Sequence, residues 1–400
     1  MPKVDFSYYQ GGREQAYIKH CLLEEYLPQL TYKVGTAWDA LAYVDGFAGP
    51  WQTTDPNHAD TSFSIAVQAL RRCQTGLRES RGRDIRIECI LIDDDKDAYA
   101  QLKRFAQHQS SPNFSVHARC GEFIEKIPEI ESIIRTNTKN AFRFIFLDPK
   151  GWADIPMRTL QPFLRGRSCE VLINLMTRHI IRFFDEPDRA ASYHNLFGRK
   201  EVLPILQAMK ARNAAPHERA EQAVREYGRS LKLLCGFRYV SSAVILEPDK
   251  ESIRYFLVYG TNHPRGVEVF KSAETKAASI QDEVRHDTHV RKTHQPSLMF
   301  DRQPPGSRLS SELRRFYSEK ARKSVQEFLN TKSPQSVVAY SDLFCETMAF
   351  PLVTPDDLMN WLGELEPHIK LLLGGSTRRR KPSPLQDDKI LVLNPKALRS

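Results

Sequence analysis

Five times in the first 180 residues, a short strand-like run stops near an acid, an asparagine or a glycine, and a segment that reads as helix follows each of the first three. The runs cover residues 41–44, 85–92, 114–118, 141–147 and 170–176, and they end near Asp45-Gly46, Asp93, Cys120-Gly121-Glu122, Asp148 and Asn174. Apolar residues at helical spacing fill 62–72, 98–107 and 123–135, the last interrupted by Pro128, and a first helix is expected over 14–30 with Pro28 disturbing its end. Parallel strands need crossovers of about a dozen residues, and helices in the crossovers cover both faces of the sheet. The expected fold class is therefore α/β, with a Rossmann-like doubly wound sheet.

Beyond that unit, residues 214–234 read as a charged helix. Two alternating runs, 239–246 and 253–259, flank Pro248-Asp249-Lys250 and read as an antiparallel hairpin that extends the same sheet. Asp301 to Ser307 reads as a linker. Helices are then expected over 311–329, 341–348 and 355–365, and strands over 369–373 and 390–393. Three helices and a β-hairpin give a winged-helix layout, so the chain divides into a Rossmann-like domain over 1–300 and a winged-helix domain over 301–400.

Composition excludes several classes. Hydrophobic residues make up 41% and charged residues 27%, the balance of a folded chain rather than a disordered or fibrous one. No apolar run approaches the roughly 20 residues of a membrane span, and Met1-Pro2-Lys3-Val4-Asp5 lacks the layout of a secretory signal. The expectation is a cytoplasmic chain without membrane contact. Seven scattered cysteines without a C-x-x-C pair predict free, mostly buried thiols. His286, His289 and His294 lie without a matching carboxylate pair, so no metal site is expected. The net charge of +9 and pI near 9.1 favour a polyanionic partner or reflect a generally basic surface.

In an open parallel sheet, ligands bind beyond the carboxyl ends of the strands where the strand order reverses. Asp45, Gly46, Phe47, Ala48 and Gly49 form the first strand end, with glycines that admit close backbone approach. The spacing matches neither G-x-G-x-x-G nor the phosphate loop with its lysine. Asp93 or Asp94 stands where a nucleoside-binding sheet places an acid for ribose hydroxyls; the same acids with Asp95 also suit a solvated turn capping a helix. Gly121 and Glu122 suit an adenine edge. Asp148, followed by Pro149, can orient a nucleophilic amine or hydroxyl, and Trp152 can stack on a flat substrate or serve as core.

The stretches Tyr43-Val44-Asp45-Gly46-Phe47-Ala48-Gly49-Pro50, Ile145-Phe146-Leu147-Asp148-Pro149-Lys150-Gly151-Trp152 and Glu170-Val171-Leu172-Ile173-Asn174-Leu175-Met176 resemble the bacterial three-Cys-motif partner proteins (TcmP). The segments Lys19-His20 to Tyr26-Leu27 and Thr261-Asn262-His263-Pro264-Arg265-Gly266 are also similar to that family, and the likeness covers about residues 15–275. The resemblance implies a class I methyltransferase-like fold that binds S-adenosyl-L-methionine, and partnership with a radical-SAM-type three-Cys-motif protein. Cofactor contacts would fall on Asp45, Gly46, Gly49, Asp93 and the Gly121-Glu122 turn. Asp148-Pro149 would occupy the place of the D-P-P-[YFW] motif of amino-methyltransferases, although Lys150 stands at the second proline and the aromatic ring is displaced to Trp152. Two functions are therefore expected in competition. One is a methyltransferase acting on nucleic acid; the other is a catalytically silent scaffold that binds DNA, RNA or a partner enzyme in a defence or repair operon. Arg378-Arg379-Arg380-Lys381, at the expected wing tip, would face phosphates or solvent.

Overall fold

The computed structural model describes residues 6–49, 53, 55, 58–138, 140–166, 168–184, 186–293, 308–374 and 381–394. In chain order the first unit runs α1 (Glu14–Ala37), β1 (Ala40–Asp45), α2 (Ser62–Arg81), β2 (Arg86–Asp93), α3 (Lys96–Gln109), β3 (Phe114–Cys120), α4 (Phe123–Asn137), β4 (Ala141–Leu147), α5 (Met157–Leu164) and β5 (Cys169–Leu175). Four helices follow, α6 (Thr177–Phe183), α7 (Ala190–Phe197), α8 (Val202–Ala211) and α9 (Pro216–Ser230). The hairpin of β6 (Tyr239–Leu246) and β7 (Ile253–Thr261) then leads into α10 (Pro264–Thr293).

The chain is α/β, with a seven-stranded sheet in the order β3-β2-β1-β4-β5-β7-β6. Strands β1 to β5 pair in parallel, whereas β7 runs antiparallel to both β5 and β6. This mostly parallel, helix-flanked sheet is compatible with the Rossmann-like expectation. The order reverses between β1 and β4, because β2 and β3 continue to one side of β1 while β4 and β5 build out on the other.

Alternation along the central strands sends side chains into two cores. Tyr43, Phe144 and Phe146 face the layer of α1, α2, α3 and α10, whereas Val44, Ile145 and Leu147 face the layer of α4 to α9. Each fully buried aliphatic or aromatic side chain contributes about 1.5–3 kcal/mol. Helix α1 does not end at Pro28 but continues to Ala37. A proline inside a helix costs about 3 kcal/mol or more; burial of Leu27, Leu30 and Val34 on either side offsets it.

The C-terminal part contains α11 (Arg308–Asn330), β8 (Val337–Ala339), α12 (Tyr340–Thr347), α13 (Pro355–Glu364), β9 (Ile369–Leu372) and β10 (Lys389–Val392). Its three strands form an antiparallel sheet in the order β8-β10-β9, one strand more than the expected hairpin. It docks on the β6 side: Lys232 reaches Glu346 at 2.8 Å, Arg238 reaches Asp342 at 2.9 Å, and the Leu352 amide donates to Glu274 at 2.8 Å. The expected linker Asp301–Ser307, together with Pro50, His294 and Arg378–Arg380, lies outside the described residues. Among the described residues, no helix is long and apolar enough to cross a membrane and no group of ligating side chains is placed to hold a metal. None of the cysteines is in a disulfide, and all but Cys120 are buried.

Candidate functional site

The β1 end is built from inside outward. Asp45 is fully buried and accepts hydrogen bonds from the Phe47 amide (3.2 Å), the Ser62 hydroxyl (3.1 Å) and the Tyr43 hydroxyl (3.3 Å). Burial pushes its carboxyl up to about 7, helped by the charge of Asp148 and opposed by the Phe47 amide and Ser62. The Gly46 amide donates to Phe146 O (3.0 Å) and the Ala48 amide to Ile92 O (2.7 Å), which stitches the turn to the ends of β4 and β2. A Cβ at Gly46 would stand 2.7 Å from Leu147 Cδ2 and 2.9 Å from Phe123 Cδ2, so this glycine is required by packing.

The three aspartates after β2 divide their roles. Asp95 caps α3 through the amides of Asp97 (2.9 Å) and Ala98 (2.8 Å). Asp93 is buried at the strand end, where it accepts from the amides of Asp95 (2.9 Å) and Gly49. Burial raises its carboxyl above the ordinary carboxylate range, with Asp94 adding to the rise and Lys150 opposing it. At the end of β3, Gly121 adopts a φ of +133°, a region open to glycine, and its amide donates to Asp93 O at 3.0 Å.

These ends enclose a cleft with about 670 Å³ of empty space, open to solvent, at the point where the strand order reverses. That volume lies within the roughly 300–1,000 Å³ of small-molecule pockets. Gly46, Phe47, Asp93, Asp94, Gly121, Glu122 and Asp148 line it together. Phe123, Ile124, Lys150, Ala153 and Asp154 also line it and were not singled out from the sequence. The wall carries five carboxylates, those of Asp93, Asp94, Glu122, Asp148 and Asp154, against the single cation of Lys150. Burial raises the Asp154 carboxyl as well, despite its hydrogen bond from the Gly151 amide.

Asp148, at the end of β4, is held from both sides. Lys19 of α1 forms an ion pair with Oδ2, and Asn174 at the end of β5 donates to Oδ1 at 2.6 Å. Each carboxylate oxygen keeps a second lone pair, so the group can still accept from a ligand. His20, beside Lys19, points elsewhere: its Nδ1 lies 2.8 Å from the Tyr9 hydroxyl, and burial drives its pKa well below the ordinary histidine value, aided by Lys19 and Arg13.

Asp45, Ala48, Gly49, Pro149 and Trp152 do not line the cleft. Asp45 and Gly49 act through the turn and through Asp93, while Ala48 and Pro149 are buried. The Trp152 indole donates to Ser192 Oγ at 2.7 Å and packs on Tyr193 with ring centroids 5.2 Å apart, under the guanidinium of Arg189. Its surroundings are those of a packed ring rather than of a stacking platform on the cleft wall.

No protein-family model matches the chain, and no curated protein matches it.

Proposed function

We propose that the cleft binds S-adenosyl-L-methionine and that the chain is a methyltransferase-like protein whose acceptor is nucleic acid. The observation that carries this reading is the acid-lined cleft at the strand-order reversal, with Asp93 at the end of β2 and Glu122 at the end of β3. A carboxylate at the β2 end suits paired ribose hydroxyls, and the β3 turn suits the adenine edge. Five carboxylates facing one lysine favour a ligand with positive charge, such as a sulfonium with an ammonium, and disfavour a phosphate-bearing nucleotide. The mostly parallel, helix-flanked sheet is compatible with the Rossmann-like fold that this reading needs.

The bound cofactor would supply an electrophilic methyl group. In this reading Asp148 accepts a hydrogen bond from the acceptor's N–H or O–H and aims the nucleophile's lone pair, while Lys19 and Asn174 fix the carboxylate. The order α11-β8-α12-α13-β9-β10 supports a winged helix. Helix α13, however, carries Asp356, Asp357 and Glu364 and no cation, which speaks against docking of this helix in a major groove. A second reading, the catalytically silent scaffold, is favoured by the engagement of both Asp148 oxygens and by Lys150 at the expected second proline.

Isothermal titration with S-adenosylmethionine tests the cofactor. Asp93→Asn keeps an acceptor for the Gly49 and Asp95 amides but removes the charge, and it is expected to weaken binding by at least about tenfold, or roughly 1.4 kcal/mol. No binding by the wild type, or equal binding by the variant, would refute the assignment. Methyl transfer to DNA and RNA then separates the two readings: loss of transfer in Asp148→Asn supports the enzyme, and no transfer by a cofactor-binding wild type selects the scaffold.

A further inference from the structure

Because β7 runs antiparallel to β5, the residues that open β7 emerge on the same rim as the carboxyl ends of β1 to β5. Leu175 stands opposite Phe256, which puts Arg254 just past the end of β5, where α6 begins. Here Met176, Arg178, His179, Arg182 and Arg254 line a second pocket with about 490 Å³ of empty space, and none of the five is acidic. Arg254 at 3.0 Å and Arg178 at 3.6 Å share the carboxylate of Glu247, so among the described residues the three arginines have ion pairs with one acid between them. Among the described residues Arg182 has no ion pair; its guanidinium lies over the Phe183 ring. Burial and the three arginines keep the His179 pKa below the ordinary histidine value.

Two connections run from the residues of this pocket toward Asp148. Asn174, which holds Asp148, is two residues before Met176. Tyr255, next to Arg254, donates to the Gln15 carbonyl at 2.9 Å, one helical turn before Lys19, the ion-pair partner of Asp148. Neighbouring arginines with one shared counter-ion bind tetrahedral oxyanions through paired N–H groups and read no base sequence.

We propose that the Arg178-Arg182-Arg254 pocket binds a backbone phosphate of single-stranded or extruded nucleic acid and thereby anchors the acceptor beside Asp148. The proposal rests on the acceptor class given above, but it stands independently of the cofactor. It also assigns phosphate contact to the sheet rim, which the acidic α13 does not provide.

The test uses the full chain and a fluorescein-labelled single strand of about 20 mixed nucleotides, as DNA and as RNA, with anisotropy read across roughly 50 to 200 mM salt. For Arg178→Ala/Arg182→Ala, affinity is expected to fall for every sequence, and the slope of log K against log salt to become shallower by about 1.4, or about 0.7 per lost contact. Arg182→Ala alone breaks no ion pair among the described residues and is expected to show half of that change, which guards against misfolding of the double variant. Arg315→Ala on α11 is expected to bind as the wild type does. An unchanged slope in both variants, absence of oligonucleotide binding by the wild type, or equal binding of polyglutamate would each overturn the proposal. S-adenosylmethionine titration of the same variants is expected to match the wild type. If the wild type binds the strand but not the cofactor, the methyltransferase reading falls and the phosphate pocket remains.

Discussion

Asp45 offers a direct measurement of how the site is built. Its carboxyl rises from 3.8 to about 7 on folding, chiefly through burial and next through the charge of Asp148. The folded protein therefore holds a proton on Asp45 more firmly than the unfolded chain does. The stabilisation from this group is complete below the unfolded value and is lost as pH climbs through about 7. A rise of about 3 units corresponds to about 4 kcal/mol in total, of which about 2–3 kcal/mol is lost between about pH 5 and about pH 8. Asp45→Asn removes the titration and keeps the shape: its carbonyl accepts from the Phe47 amide, and the Tyr43 and Ser62 hydroxyls can rotate to accept from its amide nitrogen. Relative to the wild type, the variant is expected to gain about 2–3 kcal/mol more stability near pH 8 than near pH 5. Urea unfolding followed by tryptophan fluorescence at both pH values measures the difference. A gain that does not grow with pH would refute the reasoning, and a loss that grows with pH would show that the three donors outweigh burial.

Two further outcomes concern the cleft wall. Gly46→Ala is expected to cost about 1–3 kcal/mol in unfolding free energy, because its Cβ meets buried Leu147 and Phe123; wild-type stability would show that these side chains yield without strain. Trp152→Phe loses the hydrogen bond to Ser192 and is expected to cost about 1 kcal/mol, with oligonucleotide affinity unchanged. Lost affinity at wild-type stability would return Trp152 to a substrate-stacking role.

What the sequence conveyed, and what it withheld, follows from the range of the interactions involved. Strands β1, β2, β4 and β5 are legible as mainly apolar, largely buried runs, the edge strand β3 by its alternation of buried and half-buried residues, and Asp93, Glu122 and Asp148 because they stand where those runs stop. The helices between Thr177 and Ala211 are not, since α6, α7 and α8 span only seven, eight and ten residues and show too few turns for a period to stand out. Strand β8 has three residues and exists only by pairing with β10. The division of labour among Asp93, Asp94 and Asp95 depends on which carboxylate meets the first amides of α3. Lys19 illustrates the general limit: it is separated from Asp148 by 129 residues, and its Lys19-His20 pair reads equally as solvent-facing until α1 is laid across the strand ends.

The sheet rim carries opposite charges at its two ends, and the topology explains why. Where β1 to β4 end, the chain leaves behind stop residues of parallel strands, and these are carboxylates. Past β5, the reversed β7 contributes the start of a strand instead, and Arg254 joins the arginines of α6 there. Under the proposed function, a cationic small molecule and a polyanion would be drawn to different ends of one rim, with Asp148, paired to Lys19, between them. Reversing that polarity makes the sharpest test of the arrangement. Arg182→Glu places a carboxylate in the basic pocket while leaving the acid-lined cleft untouched, so strand affinity is expected to fall further than in Arg182→Ala with no change in the titration with S-adenosylmethionine. Equal losses of both would mean that the two pockets are one site, and would remove the separation on which the argument turns.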